Sequence, residues 1–292
     1  MATIESPFLD IPRGNEAELQ IHPEQIIQEG RTTRENIEII KTYMRNVNDK
    51  NIPPGVQDEV IVLFLLSCNN NIDLTKKTVV AYYKCKKNGP EIYDDRNIDR
   101  ADIQLALNTV HMSSIPVRTD ENYVVHYFKI NDTSYNNFDL VPIMKVSYML
   151  LDVAQLKYPP SGLIVVIDMK GIGLMHLTKF KLGAFKKYLQ FLQEGFPIQM
   201  KVIHILNSVY FMDKIMALVG AFMKSELLDM LRIHSPGLEK EKLFKLVPKK
   251  CLPKEYGGDL PSEQELHERT MRQFRDMQQF WETEEKIRKQ YK

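Results

Sequence analysis

The chain has few of the residues that metal, redox or nucleotide chemistry would require. Its three cysteines, Cys68, Cys85 and Cys251, are odd in number and far apart. A disulfide framework is therefore not expected, and the pattern fits reduced thiols in the cytoplasm. The seven histidines are dispersed, and neither H-E-x-x-H nor C-x-x-C occurs, so metal-ligand spacing is missing. There is no G-x-S-x-G turn to present a nucleophilic serine. Asp168-Met169-Lys170-Gly171 has the form of a GTPase D-x-x-G, but no phosphate-binding G-x-x-x-x-G-K-[ST] precedes it. Gly171-Ile172-Gly173 follows a strand, yet His176 stands where a dinucleotide loop needs its third glycine. Asp168 is read instead as a strand-end carboxylate that fixes a turn. His204, inside an apolar run, is read as a hydrogen-bonded core histidine. A net charge of +1 supplies no field for nucleic acid. The opening MATIESPFLDIPRG has neither the basic nor the apolar part of a signal peptide. No catalytic centre and no cofactor are expected.

Long hydrophobic runs are also missing. The greasiest segment runs from Ser208 to Leu231, and charged residues bound its apolar centre, Ile215 to Met223. That centre is far shorter than the roughly 20 residues needed to cross a bilayer. At 43% hydrophobic and 26% charged, the composition is that of a globular protein.

The first third reads as helices. Glu16 to Gln28 is a short one, and Thr33 to Asn46 carries Ile37, Ile40 and Met44 at helical spacing. The prolines of Asn51 to Gln57 make a loop. A helix opens at Asp58 and Glu59, and Asn69 to Asn71 interrupt it. Asp73 is the expected N-cap of the next, whose stripe is Val79, Val80, Tyr82 and Tyr83. That helix should end at Asn88-Gly89-Pro90, with the glycine left-handed.

Then the pattern changes. Tyr123 to Ile130 is β-branched and aromatic, hence a strand. Leu140 to Lys157 is a helix. Gly162 to Asp168 and Met200 to Leu206 are apolar runs of strand length, joined by a helix over Leu177 to Glu194. Strand, helix, strand calls for a parallel pair with a right-handed crossover. Leu243 to Val247 is a further strand candidate. The last thirty or so residues form a charged helix with Leu266, Thr270, Phe274, Met277 and the sole tryptophan, Trp281, on one face. That stripe would dock the tail on the body. The basic residues from Arg269 onward raise the alternative of a membrane-surface helix, and the acidic residues among them oppose it.

Drawn as a helix, the Ser208–Leu231 segment puts Met212, Ile215, Met216, Val219, Phe222 and Met223 on one broad face. Such a stripe could be plain core. Methionine, however, suits surfaces that must fit changing shapes, and Gly220 in mid-segment points to a break or hinge. Together they point to a lid over an apolar cavity.

The order of SGLIVVIDMKGIG, FPIQMKVIHILN, LRIH and LPKEYGG resembles the CRAL-TRIO lipid-binding family. The specific pieces are Gly162, Asp168 and Gly171, then Pro197, Ile203, His204 and Asn207. Leu252, Pro253, Glu255, Tyr256, Gly257 and Gly258 complete them. The resemblance implies an α/β fold: an N-terminal helical domain (1–109), then a lipid-binding domain (110–260), then a charged amphipathic helix (261–292). The lipid-binding domain would have a mostly parallel sheet as floor and a mobile helical gate, Asn207 to Met230, over an apolar pocket. The positions it implies for the pocket wall are Tyr188, Phe191, Leu192, Ile198, Met200, Ile203, Met212, Ile215, Val219 and Met223. Val146, Met149, Leu150 and Val153 are expected beside them from the preceding helix, and Phe222 from the gate stripe. Tyr148 or Tyr188 could supply a polar anchor.

The sequence departs from the family in three respects. Leu66, Ser67, Cys68 and Asn69 to Asn71 stand where the family has arginines after a Phe-Leu pair. Gly220-Ala221 replaces a Lys-Pro pair between the gate helices. A basic cluster that meets phosphoinositide headgroups in some members maps onto Gln199, Lys201, Glu226 and Met230, of which only Lys201 is basic. Weak or no phosphoinositide dependence is therefore expected. The expected function is binding and transfer, in the cytoplasm, of one hydrophobic ligand such as a tocopherol, retinoid, carotenoid or other isoprenoid. Ligand would exchange through transient membrane contact. The alternatives are a non-catalytic scaffold with a collapsed pocket and a phospholipid exchange protein.

Overall fold

The structure is a computed structural model and describes residues 19–290. The start of the helix expected from Glu16 lies outside those residues. Helix α1 spans Pro23–Gln28, α2 Arg34–Asn46, α3 Asp58–Ser67 and α4 Ile72–Asn88. They pack on Ile37, Ile40, Ile61, Phe64 and Val79, all of them buried. The Thr33 side chain caps α2 by accepting the Asn36 N–H at 3.1 Å. The cap of α4 is Asn71, not Asp73: its Oδ1 accepts from Leu74 N at 3.0 Å. Asn69 and Asn70 take positive φ, which asparagine tolerates better than most residues. The turn at Gly89 is not left-handed, since its φ is −125°. Glycine is needed there for space, because a Cβ would lie 2.8 Å from the Tyr93 ring. Helices α5 (Pro90–Tyr93) and α6 (Ala101–Thr109) lead into the sheet.

The sheet has five strands in chain order: β1 Val110–Ser114, β2 Tyr123–Ile130, β3 Gly162–Asp168, β4 Met200–Leu206 and β5 Leu231–Ile233. β1 is antiparallel to β2, and the other neighbours are parallel. The crossovers carry α7 (Leu140–Gln155), α8 (Leu182–Gln190), then α9 (Met212–Val219) and α10 (Ser225–Leu228). Parallel strands laid down in sequential order with one crossover hand place all these helices on the same face. The opposite face, with Val125, Tyr127, Ile164, Val166 and Leu206, is covered by Leu243 and Val247 of the α11 region (α11, Lys240–Leu246), by Cys251 and Leu252, and by Leu266. The strand expected at Leu243 to Val247 is thus mostly helix; its apolar residues lie one turn apart and pack on the sheet from outside.

The tail is two helices, α12 (Glu263–Asp276) and α13 (Gln278–Gln290), broken at Met277. Phe274, Met277 and Trp281 are buried against Met149 and Leu150 of α7. Trp281 Nε1 donates to Asp152 at 2.9 Å. Glu284 accepts from Lys86 at 2.7 Å and also pairs with Arg96, while Arg288 reaches Asp94. The tail stripe docks on the body, as the apolar spacing indicated, and buried ion pairs hold it there.

Candidate functional site

Between the helix-bearing face of the sheet and the helices lies a cavity of about 370 Å3. Its floor is Phe128 and His126 on β2, Leu163, Val165 and Ile167 on β3, and Met200, Ile203 and Ile205 on β4. Met200 and Ile203 are three apart and would face opposite ways in a regular strand. Pairing steps from Leu163–Met200 to Ile164–Val202, so Lys201 is an extra residue that returns both to the floor. The side walls are Leu140, Ile143, Met144, Ser147 and Leu151 of α7, then Phe185, Tyr188, Leu189 and Leu192 of the α8 region. The roof is Met212, Ile215, Met216 and Val219 of α9, with Met223 and Leu227 beyond. A second cavity, of about 360 Å3, lies between the N-terminal helices and α13, and Asp152, Glu284 and Arg288 on its wall make it a poor place for an apolar molecule.

The structure brings Tyr188, Leu192, Met200, Ile203, Met212, Ile215, Val219 and Met223 onto this one wall. Seven expected positions lie elsewhere. Val146, Met149, Leu150 and Val153 occupy the other face of α7, packed against Phe274, Met277 and Trp281. The face that reaches the cavity is Leu140, Ile143, Met144, Ser147 and Leu151. Because α7 is buried almost all round, its apolar residues give no phase for choosing a face. Phe191 is turned away among the rings of Tyr82, Tyr93, Tyr148 and Phe196. Ile198 is buried in that same cluster. Phe222 sits beside the cavity, with Lys186 Nζ 5.6 Å above its ring. Tyr148 packs on Tyr93 and does not reach the cavity.

The roof is interrupted where the glycine suggested. α9 gives way at Gly220 to a 3-10 turn over Gly220–Phe222, Met223 is extended, and α10 follows. Gln193 ties down this break, donating to Phe222 O at 3.1 Å and accepting from Lys224 N at 2.5 Å. The other end of the segment is anchored by the motif residues. Asp168 accepts from Lys170 N at 2.9 Å and from Asn207 Nδ2 at 2.8 Å, and Tyr256 donates to its second oxygen. The carboxylate thus fixes the ends of β3 and β4 where the roof departs, as its strand-end position indicated. Gly257, at φ +76°, makes the turn after Tyr256, and a Cβ on Gly258 would lie 1.9 Å from the Leu252 carbonyl oxygen. His204 is buried, with Nδ1 3.1 Å from His234 Nε2, and burial beside that second ring pushes its pKa down to about 4.

A model of the CRAL/TRIO domain matches residues 108–258. The chain belongs to the CRAL/TRIO family. A Pinta-like UBA domain model matches residues 30–103, the helical region ahead of the CRAL/TRIO sheet. Among curated proteins, the chain is 24% identical over 243 residues to the alpha-tocopherol transfer protein-like protein of Homo sapiens, covering 82% of this chain and 68% of that one. It is 22% identical over 255 residues to clavesin-1 of Xenopus laevis, covering 82% and 74%. A solved structure titled "Crystal structure of Sfh5" aligns with TM-score 0.47 and 12% identity over 84% of this chain and 90% of that chain. CRAL/TRIO membership carries lipid binding and transfer as the general activity, and the family's proteins are lipid carriers, not enzymes. Among the described residues no helix is long and apolar enough to cross a membrane.

The sequence reading missed His126. Its signal was a lone histidine within YVVHYFKI, at a position whose neighbours two residues on, Phe128 and Ile130, also line the cavity.

Proposed function

We propose that this CRAL/TRIO protein takes up one uncharged hydrophobic molecule, of isoprenoid or long-chain type, and carries it between membranes without altering it. The observation that carries the reading is the size and lining of the cavity beneath α9. Its wall is mostly Leu, Ile, Val, Met and Phe side chains, and covering that wall with a hydrophobic molecule removes apolar surface from water at about 25 cal/mol per Å2. The volume lies within the usual range for small-molecule sites.

The roof supports a gating role. It is short, broken at Gly220, and tied at that break by few bonds, so it can open without unfolding the sheet. Exposed Tyr210, Leu218 and Leu228 on the same segment would meet a bilayer during exchange. Helices α1 to α6, α12 and α13 serve as support for a lipid-binding domain at 110–260, and the site of action is the cytoplasm. Lys201 spends its ammonium on Gln199 and on the Tyr123 ring, 5.0 Å away, and Glu226 is exposed and acidic. Exchange is therefore not expected to need phosphoinositides. The test is transfer of a fluorescent uncharged lipid from donor to acceptor vesicles. Protein-dependent transfer supports the reading; transfer no faster than the spontaneous rate overturns it and favours a scaffold role.

A further inference from the structure

The cavity wall is apolar with few exceptions, and most of those are internally satisfied. Ser147 donates to Met144 O at 2.8 Å, and Tyr188 OH lies 2.8 Å from Ser147 Oγ, so that pair closes on itself. Lys129 is bound by Glu263 at 2.9 Å. Asp168 is held by Asn207 and Tyr256. His126 differs. It is 1% exposed, sits in the middle of β2 between Ser114 of β1 and Val165 of β3, and lines the cavity floor. Its Nε2 is buried without a hydrogen-bond partner among the described residues. A buried polar atom of this kind is rare in folded proteins and calls for a partner.

We infer that His126 is the polar anchor of the cavity, and that the ligand carries one uncharged hydrogen-bonding head, a hydroxyl or carbonyl, at the end that meets the β2 floor. This rests on the carrier reading above and narrows it to a chemical class. Burial, with Arg118 as a lesser contributor, pushes the imidazole pKa down to about 3, so the ring is neutral at physiological pH. A neutral imidazole has one donor and one acceptor nitrogen, which suits an alcohol on either side and a carbonyl on the donor side. It supplies no positive charge for a carboxylate or phosphate, and the nearby ammonium of Lys129 is already neutralised. An ionised head would enter an apolar site uncompensated.

The test uses three probes with the same chain and different heads: 1-hexadecanol, hexadecane and hexadecanoate. Each is delivered from cyclodextrin to the full chain at neutral pH and bound ligand is counted by native mass spectrometry. The wild type should favour the alcohol over the hydrocarbon by about tenfold, the worth of one buried hydrogen bond to a group otherwise unsatisfied. Hexadecanoate should bind no better than the alcohol. In His126→Leu the alcohol-to-hydrocarbon ratio should fall to about one, whichever way overall affinity moves. His126→Gln, which restores a donor and an acceptor, should recover part of it. A wild-type ratio near one, a ratio unchanged in His126→Leu, or preference for hexadecanoate would each overturn the inference while leaving the carrier reading in place. Binding of none of the three probes would instead count against the carrier reading itself.

Discussion

Replacing Val219 by aspartate tests the roof assignment, and its size can be worked out beforehand. Val219 is 6% exposed and lines the cavity from α9, whereas Leu218, one residue earlier, is 37% exposed on the outer side. Closing the roof over a ligand would bury the new carboxylate in an apolar wall. The cheapest way to do so is to protonate it first. With an ordinary aspartate pKa of about 3.9, neutralising the group at pH 7 costs about 4 kcal/mol, at 1.36 kcal/mol per unit. That corresponds to roughly a thousandfold loss of affinity for a neutral lipid such as 1-hexadecanol. The loss should shrink about tenfold for each unit of acidification, to about tenfold at pH 5. Leu218→Asp puts the same carboxylate on the outer side of the same helix, at a somewhat larger cost in helix propensity, and should bind as the wild type does in solution. Calorimetric titration at pH 7, 6 and 5 reads all three proteins. Wild-type affinity of Val219→Asp at pH 7 would refute the placement of this residue over the ligand. A loss that does not ease on acidification would show that the change acts through misfolding and not through the buried charge.

Gln193→Ala removes two of the bonds that pin the roof at Phe222 and Lys224 and leaves the Lys224–Glu194 ion pair at 2.8 Å, so ligand release should quicken by about tenfold in stopped-flow exchange while the melting temperature moves little. Gly258→Ala places a Cβ against the Leu252 carbonyl and should lower stability by about 1–3 kcal/mol or more, read by denaturant melts. For Glu284, burial opposes ionisation, but Lys86, Arg96 and Arg288 overcome it and hold the pKa down to about 2. A depressed carboxylate pKa means stability that is full above the unfolded value near 4.3 and is lost as pH falls towards 2. Glu284→Gln should therefore be less stable than the wild type at pH 7, and the difference should narrow across that window. Vesicles with phosphoinositide should sediment the protein no better than vesicles of equal charge made with phosphatidylserine.

Much of the floor was legible in the sequence. β2, β3 and β4 occupy the expected residues because each is a β-branched run bounded by turn residues. β1 and β5 were not legible: Val-His-Met-Ser-Ser is half polar, and Leu-Arg-Ile is three residues long and mostly exposed. Only pairing with a neighbour makes them strands. The gate stripe was readable because α9 has one buried face, so helical spacing fixes which residues look inward. α7 has none to spare, and Val146, Met149, Leu150 and Val153 turned out to face the tail helices. The helix expected over Leu177 to Glu194 is a 3-10 turn at Leu174–Lys179, then α8, then a π-turn at Phe191–Gly195. That wide final turn accompanies Phe191 facing the N-terminal rings, and Gly195 lets the Tyr82 backbone approach to 2.8 Å of where a Cβ would stand. Such inter-element fits leave no periodic trace in a sequence.

Native mass spectrometry of the protein expressed in cells and purified without detergent, followed by solvent extraction, tests most directly whether the cavity under α9 holds a lipid. One neutral lipid per chain is expected, released on denaturation and bearing a single hydroxyl or carbonyl head. An empty protein that stays empty after incubation with isoprenoid alcohols, retinoids and fatty alcohols would contradict it. The methionine-rich face from Met212 to Met223 would then be ordinary core.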